Sequence, residues 1–378
     1  MKQEGFRHWA PAPATGHPRM RAHSRVAVAF LLGCDESTPM PQILIQVDAI
    51  RTLRHSIVER SELIPRSFIV ITTESMPSRV QALLLASGFK LRCFPSPAAG
   101  FGIEDRQYFS ELEKQWRARL YPTGWWWGWL KLRLGELTDE PWLLFLDSDM
   151  LAVGSLSALF AGPLGRWDLE GDFAAAEEMD SSDVNSGLML VRSDVEAARA
   201  LQRKAGQKLG ELLREGRGFR DVMEQDIRNR FLESDGMDLS EAVFHDGVLT
   251  GCSLPRPLVQ GGIPHERPRW CRLPRHFNVA LPRLVDRQDL PASPLDSPEA
   301  RADPDPARKR RWLTQQPITV LHFTGSWVQG RPWEKPPVHW SPWDEAWWRE
   351  HSRMCLAAVS SGQPPCSVKC PNGQGADE

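Results

Sequence analysis

Apolar residues fall along this chain in two alternating patterns, short unbroken runs and longer stretches with helical spacing. Val26-Ala27-Val28-Ala29-Phe30-Leu31 is the first unbroken run. After Pro41, the residues Ile43, Leu44, Val47, Ile50, Leu53, Ile57 and Val58 recur at helical intervals and form one apolar stripe, with proline at the helix start. Phe68-Ile69-Val70-Ile71 is a second run, Val80, Leu83, Leu84 and Leu85 make a short helix, and Leu91 to Phe94 a third strand. Runs this short, with no polar alternation, fit parallel strands buried on both faces. The order β-α-β-α-β predicts a doubly wound nucleotide-binding half.

The pattern continues with a helix over Phe109 to Leu120 and then Trp125-Trp126-Trp127-Gly128-Trp129-Leu130-Lys131. Indoles at this density read first as core packing, and second as the lining of a sugar site. Trp142-Leu143-Leu144-Phe145-Leu146 is the strand around which the rest is arranged, because it runs straight into Asp147-Ser148-Asp149-Met150. Leu156, Leu159 and Phe160 pack a short helix. Phe173 to Ala176 and Gly187 to Val191 are two further strands, flanking an acidic loop from Glu177 to Asn185. Asp194 caps a long helix through Leu213. Another helix starts over Asp221 to Phe231, and Ile318-Thr319-Val320-Leu321 is a strand that ends on His322. Residues 1–24 read as a flexible leader, 251–311 as a Pro/Arg-rich loop or insertion with little periodicity, and 351–378 as a flexible tail. One domain is expected over 25–350.

Composition narrows the function classes. With 378 residues the chain can hold one large α/β domain, and a formal net charge of -2 gives no electrostatic support to a nucleic-acid partner. The cysteines at 34, 93, 252, 271, 355, 366 and 370 are odd in number and hold no C-x-x-C pair, which indicates neither a disulfide framework nor a zinc site. Cys366 and Cys370 leave room for a local loop disulfide. Val26 to Leu32, the longest early apolar run, is too short to span a bilayer. With no anchor or clear signal peptide, a cytoplasmic location is favoured, and the Golgi or secretory pathway is the alternative.

The candidate chemistry begins at the end of the central strand. Ligands of open α/β sheets bind at the carboxyl ends of strands. Two carboxylates there are costly unless a positive partner lies between them, and a hard divalent cation carrying a phosphate is the natural one. Three further features stand out: Asn185-Ser186-Gly187 ahead of an apolar strand, Asp221, Glu224 and Gln225 on one face of a helix's first turn, and His322 delivered by a buried strand. Taken singly they read as a turn, a helix cap and a structural histidine.

In this order they resemble glycosyltransferase family 8, the glycogenin-like retaining enzymes. The matching elements are Leu144 to Met150, N-S-G-L-M-L-V at 185–191, D-x-x-E-Q at 221–225, L-P-R-H-F-N at 273–278 and H-F-T-G…R-P-W at 322–333. The resemblance implies an α/β GT-A (nucleotide-diphospho-sugar transferase) fold, a Rossmann-like mixed sheet flanked by helices. It also implies a nucleotide-sugar donor, usually a UDP-sugar, with Mn²⁺ or Mg²⁺ as cofactor. Asp147, Asp149 and His322 match the metal ligands. Lys131 matches a donor-binding lysine in a K-L pair, and Asn185 an asparagine facing the donor sugar. Ser148, Ser186 and Gly325 lie in the same motifs and join the donor-binding set. Glu224-Gln225 match a D-Q pair near the anomeric centre, and Asp221 the acid three residues earlier.

Three departures from the family's pattern stand out, one of them Glu177, near where the family often has an aspartate. The D-Q aspartate is here Glu224, one methylene longer. The lysine of the family's K-P-W is here Arg331, with Lys335 as a substitute. The expected function is metal-dependent, retaining transfer of a hexosyl group to a separate saccharide or glycan acceptor. The alternatives are a catalytically inactive sugar-nucleotide-binding protein of the same fold and, with less support, a haloacid-dehalogenase-like phosphatase.

Overall fold

The computed structural model describes residues 24, 26–34, 38–95, 126–137, 139–161, 173–177, 184–215, 240–245, 248–252, 270–280, 318–323, 331–335 and 342–367. Strand β1 (Val26–Leu31), helix α1 (Met40–Arg60), β2 (Phe68–Thr73), α2 (Ser78–Ala86) and β3 (Lys90–Phe94) follow the alternation read from the sequence. A 3-10 segment at Trp126–Glu136 leads to β4 (Trp142–Leu146). After it come β5 (Met150–Ala152), α3 (Ser157–Ala161), β6 (Phe173–Glu177), β7 (Val184–Arg192) and α4 (Val195–Arg214). The later elements are β8 (Ser240–His245), β9 (Val248–Cys252), β10 (Trp270–Leu273), β11 (Val279–Ala280), β12 (Val320–His322) and α5 (Pro342–Ser360).

The main sheet has nine strands in the order β3-β2-β1-β4-β7-β6-β10-β8-β9. The first four are mutually parallel, β7 runs antiparallel to both β4 and β6, and β10 is parallel to β6 and β8. The fold class is therefore the α/β one expected, a mixed sheet dominated by parallel pairs. A second, three-stranded sheet, β11-β12-β5, sits where β4 ends.

The strands of the main sheet divide their side chains between two cores. Val26, Val28, Phe30, Leu144 and Leu146 face α1, meeting Ile43, Val47, Ile50, Leu53 and Ile57. Ala27, Ala29, Leu143 and Phe145 face the other way, onto Trp127, Trp129, Leu130, Leu132 and Leu134. The tryptophan cluster is thus core where it is described, as its density suggested. Each such buried side chain contributes about 1.5–3 kcal/mol over exposure, which is why β4 tolerates no polar residue before Asp147. The chain after β1 passes so close to Trp127 that a Cβ on Gly33 would fall 2.1 Å from its Cδ1.

Helix α1 also positions the small sheet. Its Ser56 hydroxyl accepts the N–H of Ala152 at 3.2 Å, and Ser61, the residue just after the helix, accepts that of Leu156 at 3.2 Å. Held this way, β5 pairs antiparallel with β12, placing His322 opposite Met150.

Two expectations are corrected at the C-terminal side. A flexible tail from residue 351 is not what 351–367 form: α5 runs to Ser360, and the chain to Ser367 returns over α1. The reason is a buried stripe of Trp347, Trp348, His351, Met354 and Ala358, of which His351 is 1% exposed. The scattered cysteines do include a disulfide, Cys355–Cys366. Cys370, the partner weighed for Cys366, lies outside the described residues, as do the leader at 1–23 and the helices expected at 109–120 and 221–231. Within 251–311, read as loop or insertion, the described residues include β10 and β11.

Candidate metal centre

Asp147 and Asp149 stand at the C-terminal end of β4, and the backbone there is fixed from both sides. The Asp147 N–H donates to the Gly187 carbonyl at 2.8 Å, and the Asp149 carbonyl accepts the Phe323 N–H at 2.8 Å. The two carboxylates are therefore tied to β7 and to the residue after β12. His322 completes the group: its Nε2 lies 3.4 Å from Asp149 Oδ1 and 4.0 Å from Asp147 Oδ2. Oxygen and nitrogen atoms of all three residues lie within 4.8 Å of one another.

A chain of hydrogen bonds sets the orientation of the imidazole. The Gly187 N–H can only donate, and it donates to Asn185 Oδ1 at 2.9 Å. That oxygen also receives Asn278 Nδ2 at 2.7 Å, so the Asn278 amide turns its Oδ1 away. Asn278 Oδ1 faces His322 Nδ1 at 3.0 Å and can only accept. The Nδ1 proton is thereby fixed, and in the neutral ring the Nε2 lone pair points at two carboxylates. Three electron-rich groups converging on one point call for a cation. This is the observation by which the residues fit a divalent ion.

Gly187 is needed for this close approach. A Cβ there would lie 2.4 Å from His322 Cε1 and 2.8 Å from the Met150 terminal methyl. The N-S-G triplet, which taken singly reads as a turn, lies at the start of β7. It contributes an acceptor oxygen, an anchoring N–H and the space for the imidazole.

Two cations flank the group. Lys131 Nζ straddles the Asp147 carboxylate, 2.9 Å from Oδ1 and 3.0 Å from Oδ2, and lies 3.3 Å from Ser186 Oγ. It also sits 5.2 Å from the centre of the Phe145 ring. Arg331 Nε lies 3.1 Å from Asp149 Oδ2, and its guanidinium also pairs with Glu334. These cations split the two carboxyls. Burial raises the Asp147 carboxyl, with the Asp149 charge adding to the rise and Lys131 opposing it. Burial would also raise Asp149, but the Arg331 charge beside it outweighs this and holds it well below the usual carboxylate range.

Arg331 is held in place from below. The Pro332 carbonyl accepts the Trp348 indole N–H at 3.1 Å, and Trp333 packs on Trp347 with ring centres 4.9 Å apart. Lys335 lies elsewhere: its Nζ is 3.1 Å from both oxygens of Asp344, which is 1% exposed. Ser148 sits between the two aspartates and is half-buried. The structure thus brings together Lys131, Asp147, Ser148, Asp149, Asn185, Ser186, His322 and Arg331. Asp221, Glu224, Gln225 and Gly325 lie outside the described residues. Asn278, in the L-P-R-H-F-N element but given no role by the sequence, is the participant that sequence reasoning missed.

No protein-family model matches the sequence, and no curated protein matches it. Among solved structures, the chain is similar to the glycosyltransferase GlyE of Streptococcus pneumoniae TIGR4, with 17% identity and a TM-score of 0.44 over 92% of this chain and 66% of that one. The chain therefore spans just under two thirds of GlyE's length. It is also similar to LgtC, a galactosyltransferase solved with donor and acceptor sugar analogs, with 16% identity and a TM-score of 0.46 over 92% of this chain and 99% of that one. A third is mouse xyloside xylosyltransferase 1, with 11% identity and a TM-score of 0.39 over 80% of this chain and 98% of that one. Likeness at this level carries no argument, so the functional reading rests on the geometry of the site.

Proposed function

We propose that the protein is a retaining glycosyltransferase of the family 8 type, moving a sugar from a nucleotide donor, UDP-linked by resemblance, to a separate saccharide or glycan acceptor. The observation that carries this reading is the convergence of two strand-end carboxylates and an oriented imidazole nitrogen, flanked by two cations. Asp147, Asp149 and His322 would hold the divalent ion. A nitrogen among the ligands favours Mn²⁺ over Mg²⁺, which prefers an all-oxygen shell. Bound there, the ion would supply Lewis-acid stabilisation to the departing nucleotide diphosphate.

The chain's own residues do the rest. Lys131 and Arg331 place positive charge beside the diphosphate as it leaves. In this structure each cation is engaged by one aspartate, so both side chains are already oriented toward the place where the phosphates would lie. Arg331 is favoured over Lys335 as the diphosphate cation, because Lys335 is committed to a buried aspartate. Asn185, by accepting from Asn278 and from Gly187, links the donor-facing edge of β7 to the orientation of His322. Glu224, by resemblance, stands near the anomeric centre, either as a nucleophile or as a group steering the acceptor to the leaving-group face.

The test is turnover. Purified protein with Mn²⁺ and a panel of UDP-sugars should release UDP, and Asp149→Ala should abolish release while keeping its circular dichroism. Full activity of Asp149→Ala in EDTA would sink the reading. Mn²⁺-dependent donor binding without turnover on any donor would point instead to an inactive binding protein.

A further inference from the structure

Helix α5 carries a second group of ligand-type side chains, where it packs on α1. His351 lies one turn before Cys355 on the helix, and Cys366 comes back to it from the returning segment. Oxygen, nitrogen or sulfur ligand atoms of this group, His351, Cys355 and Cys366, lie within 4.8 Å of one another. The two cysteines are joined as a disulfide, and His351 Nε2 lies 3.5 Å from Cys355 Sγ.

The imidazole is oriented by its other nitrogen. The Thr52 hydroxyl spends its proton on the Asp48 carbonyl at 2.8 Å, so its oxygen accepts from His351 Nδ1 at 3.0 Å. In the neutral ring the Nε2 lone pair then faces the sulfur. Trp347 stacks on the same ring, 5.1 Å between centres and 9° between planes, and fixes its tilt.

Cys366 is held by contacts that do not depend on the sulfur–sulfur bond. The Arg51 guanidinium donates to the carbonyls of Pro364 and Pro365. The Ser367 N–H donates to Asp48 Oδ2 at 2.7 Å, and Asp48 is itself paired with Arg51 at 3.1 Å. Both neighbours of Cys366 are thus pinned to α1. Opening the disulfide leaves two sulfurs and one nitrogen lone pair facing a common point, with little ordering left to do.

We propose that the reduced form of this cluster binds one divalent cation of the zinc class through His351 Nε2, Cys355 Sγ and Cys366 Sγ, and that the disulfide and the bound cation are alternative states of the same site. A dithiol reductant opens the bond: two electrons reduce the two sulfurs, each takes a proton, and the reductant leaves as its own disulfide. Cation binding then displaces both thiol protons and forms two metal–sulfur bonds and one metal–nitrogen bond. Two thiolates and an imidazole are soft and borderline donors, suited to Zn²⁺ in a tetrahedral shell with a fourth position left open. The carboxylate-rich group at β4 suits a harder ion, so the two sites select different metals. This inference stands independently of the glycosyltransferase reading.

Cobalt reports the sulfur ligands directly. The full chain, reduced anaerobically and freed of reductant, is titrated with Co²⁺. One equivalent should produce an intense thiolate-to-cobalt charge-transfer band in the near ultraviolet, with visible bands of tetrahedral cobalt. One equivalent of Zn²⁺ should bleach both, and the oxidised protein should show neither. The double variant Cys355→Ser, Cys366→Ser should lose the charge-transfer band, and the other five cysteines then serve as the internal control. Cys366→Ser alone, outside the helix, should lose about half of it. His351→Gln should keep thiolate absorption and shift the visible bands. No band in the reduced wild type, or the same band in the double variant, would overturn the proposal. An unshifted spectrum in His351→Gln would remove His351 from the ligand set.

Discussion

His322 owes its orientation to Asn278, and Asn278 owes its own to a backbone N–H that can do nothing but donate. Breaking the relay should weaken metal binding while leaving the fold intact. Asn278→Ala is expected to raise the Mn²⁺ dissociation constant about 10–100-fold, the usual cost of removing the partner of a metal-ligating histidine. Titration followed by Mn²⁺ electron paramagnetic resonance measures it, and an unchanged constant would mean the imidazole is held by packing alone. Gly187→Ala acts on the same ring by volume. With a Cβ 2.4 Å from His322 Cε1, either the ring or β7 must move, at about 1–3 kcal/mol. Both the Mn²⁺ affinity and the midpoint of urea unfolding should fall. At this scale the sequence is legible in proportion to how local the signal is. The two aspartates follow an apolar run that can only be a buried strand, so their position is readable. Asn278 contacts Asn185 and His322, which are distant in the chain, and nothing in its own neighbourhood marks it.

Elements show a similar division. The parallel half is legible because β1, β2 and β4 are buried on both faces and must read as unbroken apolar runs. Helix α5 is not legible, because its buried face includes Glu350 and His351, polar residues that interrupt the stripe. Glu350 is 2% exposed and pairs with His55 Nδ1 at 2.7 Å and Arg60 at 2.5 Å, both on α1. Burial pushes its carboxyl upward, but the hydrogen bonds from His55 and Arg60 outweigh this and lower it from 4.5 to about 2. A carboxyl depressed in the folded state stabilises above its unfolded value, and the gain is lost as pH falls through the folded one. The α1–α5 contact should therefore contribute fully above about pH 4.5 and fade toward pH 2. A shift of this size corresponds to about 3 kcal/mol. Glu350→Gln should lower stability by that order at pH 7, with the gap to wild type closing toward pH 2. Thermal unfolding across pH checks it, and a gap independent of pH would show that the charge is not what matters.

The segment Arg331 to Lys335 yields a prediction of the same kind, because it carries two cations with different partners. Arg331→Ala should weaken binding of the UDP-sugar about tenfold with little change in thermal stability, as expected for loss of a charge-assisted contact to a phosphate. Lys335→Ala should do the reverse, because it strands the buried Asp344 carboxylate. Calorimetric titration of the donor against both variants decides the matter, and a larger affinity loss at Lys335 reverses the assignment.

For the molecule as a whole, the proposed reaction needs an acceptor from outside. The chain has only two tyrosines, Tyr108 and Tyr121, and none in the stretch from Val279 to Arg311, which by the resemblance matches the place where glycogenin itself carries its acceptor tyrosine. Incubation with Mn²⁺ and a UDP-sugar should leave the intact mass of the protein unchanged, and a ladder of hexose additions would contradict transfer to a separate acceptor. The sheet order β4-β7-β6-β10 was not legible. The alternation of runs and stripes fixes which residues are strands, but antiparallel insertion of β7 between β4 and β6 depends on pairings between distant segments that leave no mark in either one.

The position of β12 has a consequence for the protein while it is being made. Asp147, Asp149 and Lys131 emerge from the ribosome with the parallel half of the sheet, whereas Asn278 and His322 emerge much later. At ordinary rates of synthesis the interval between the second aspartate and the histidine is on the order of ten to thirty seconds. Throughout it, the nascent chain has both carboxylates but no His322 imidazole, and for most of it no Asn278 amide either. Lys131 is then the partner that keeps Asp147 neutralised. A chain released early, by nonsense mutation or stalling, would carry most of the parallel half of the sheet with the group of Asp147, Asp149 and His322 incomplete.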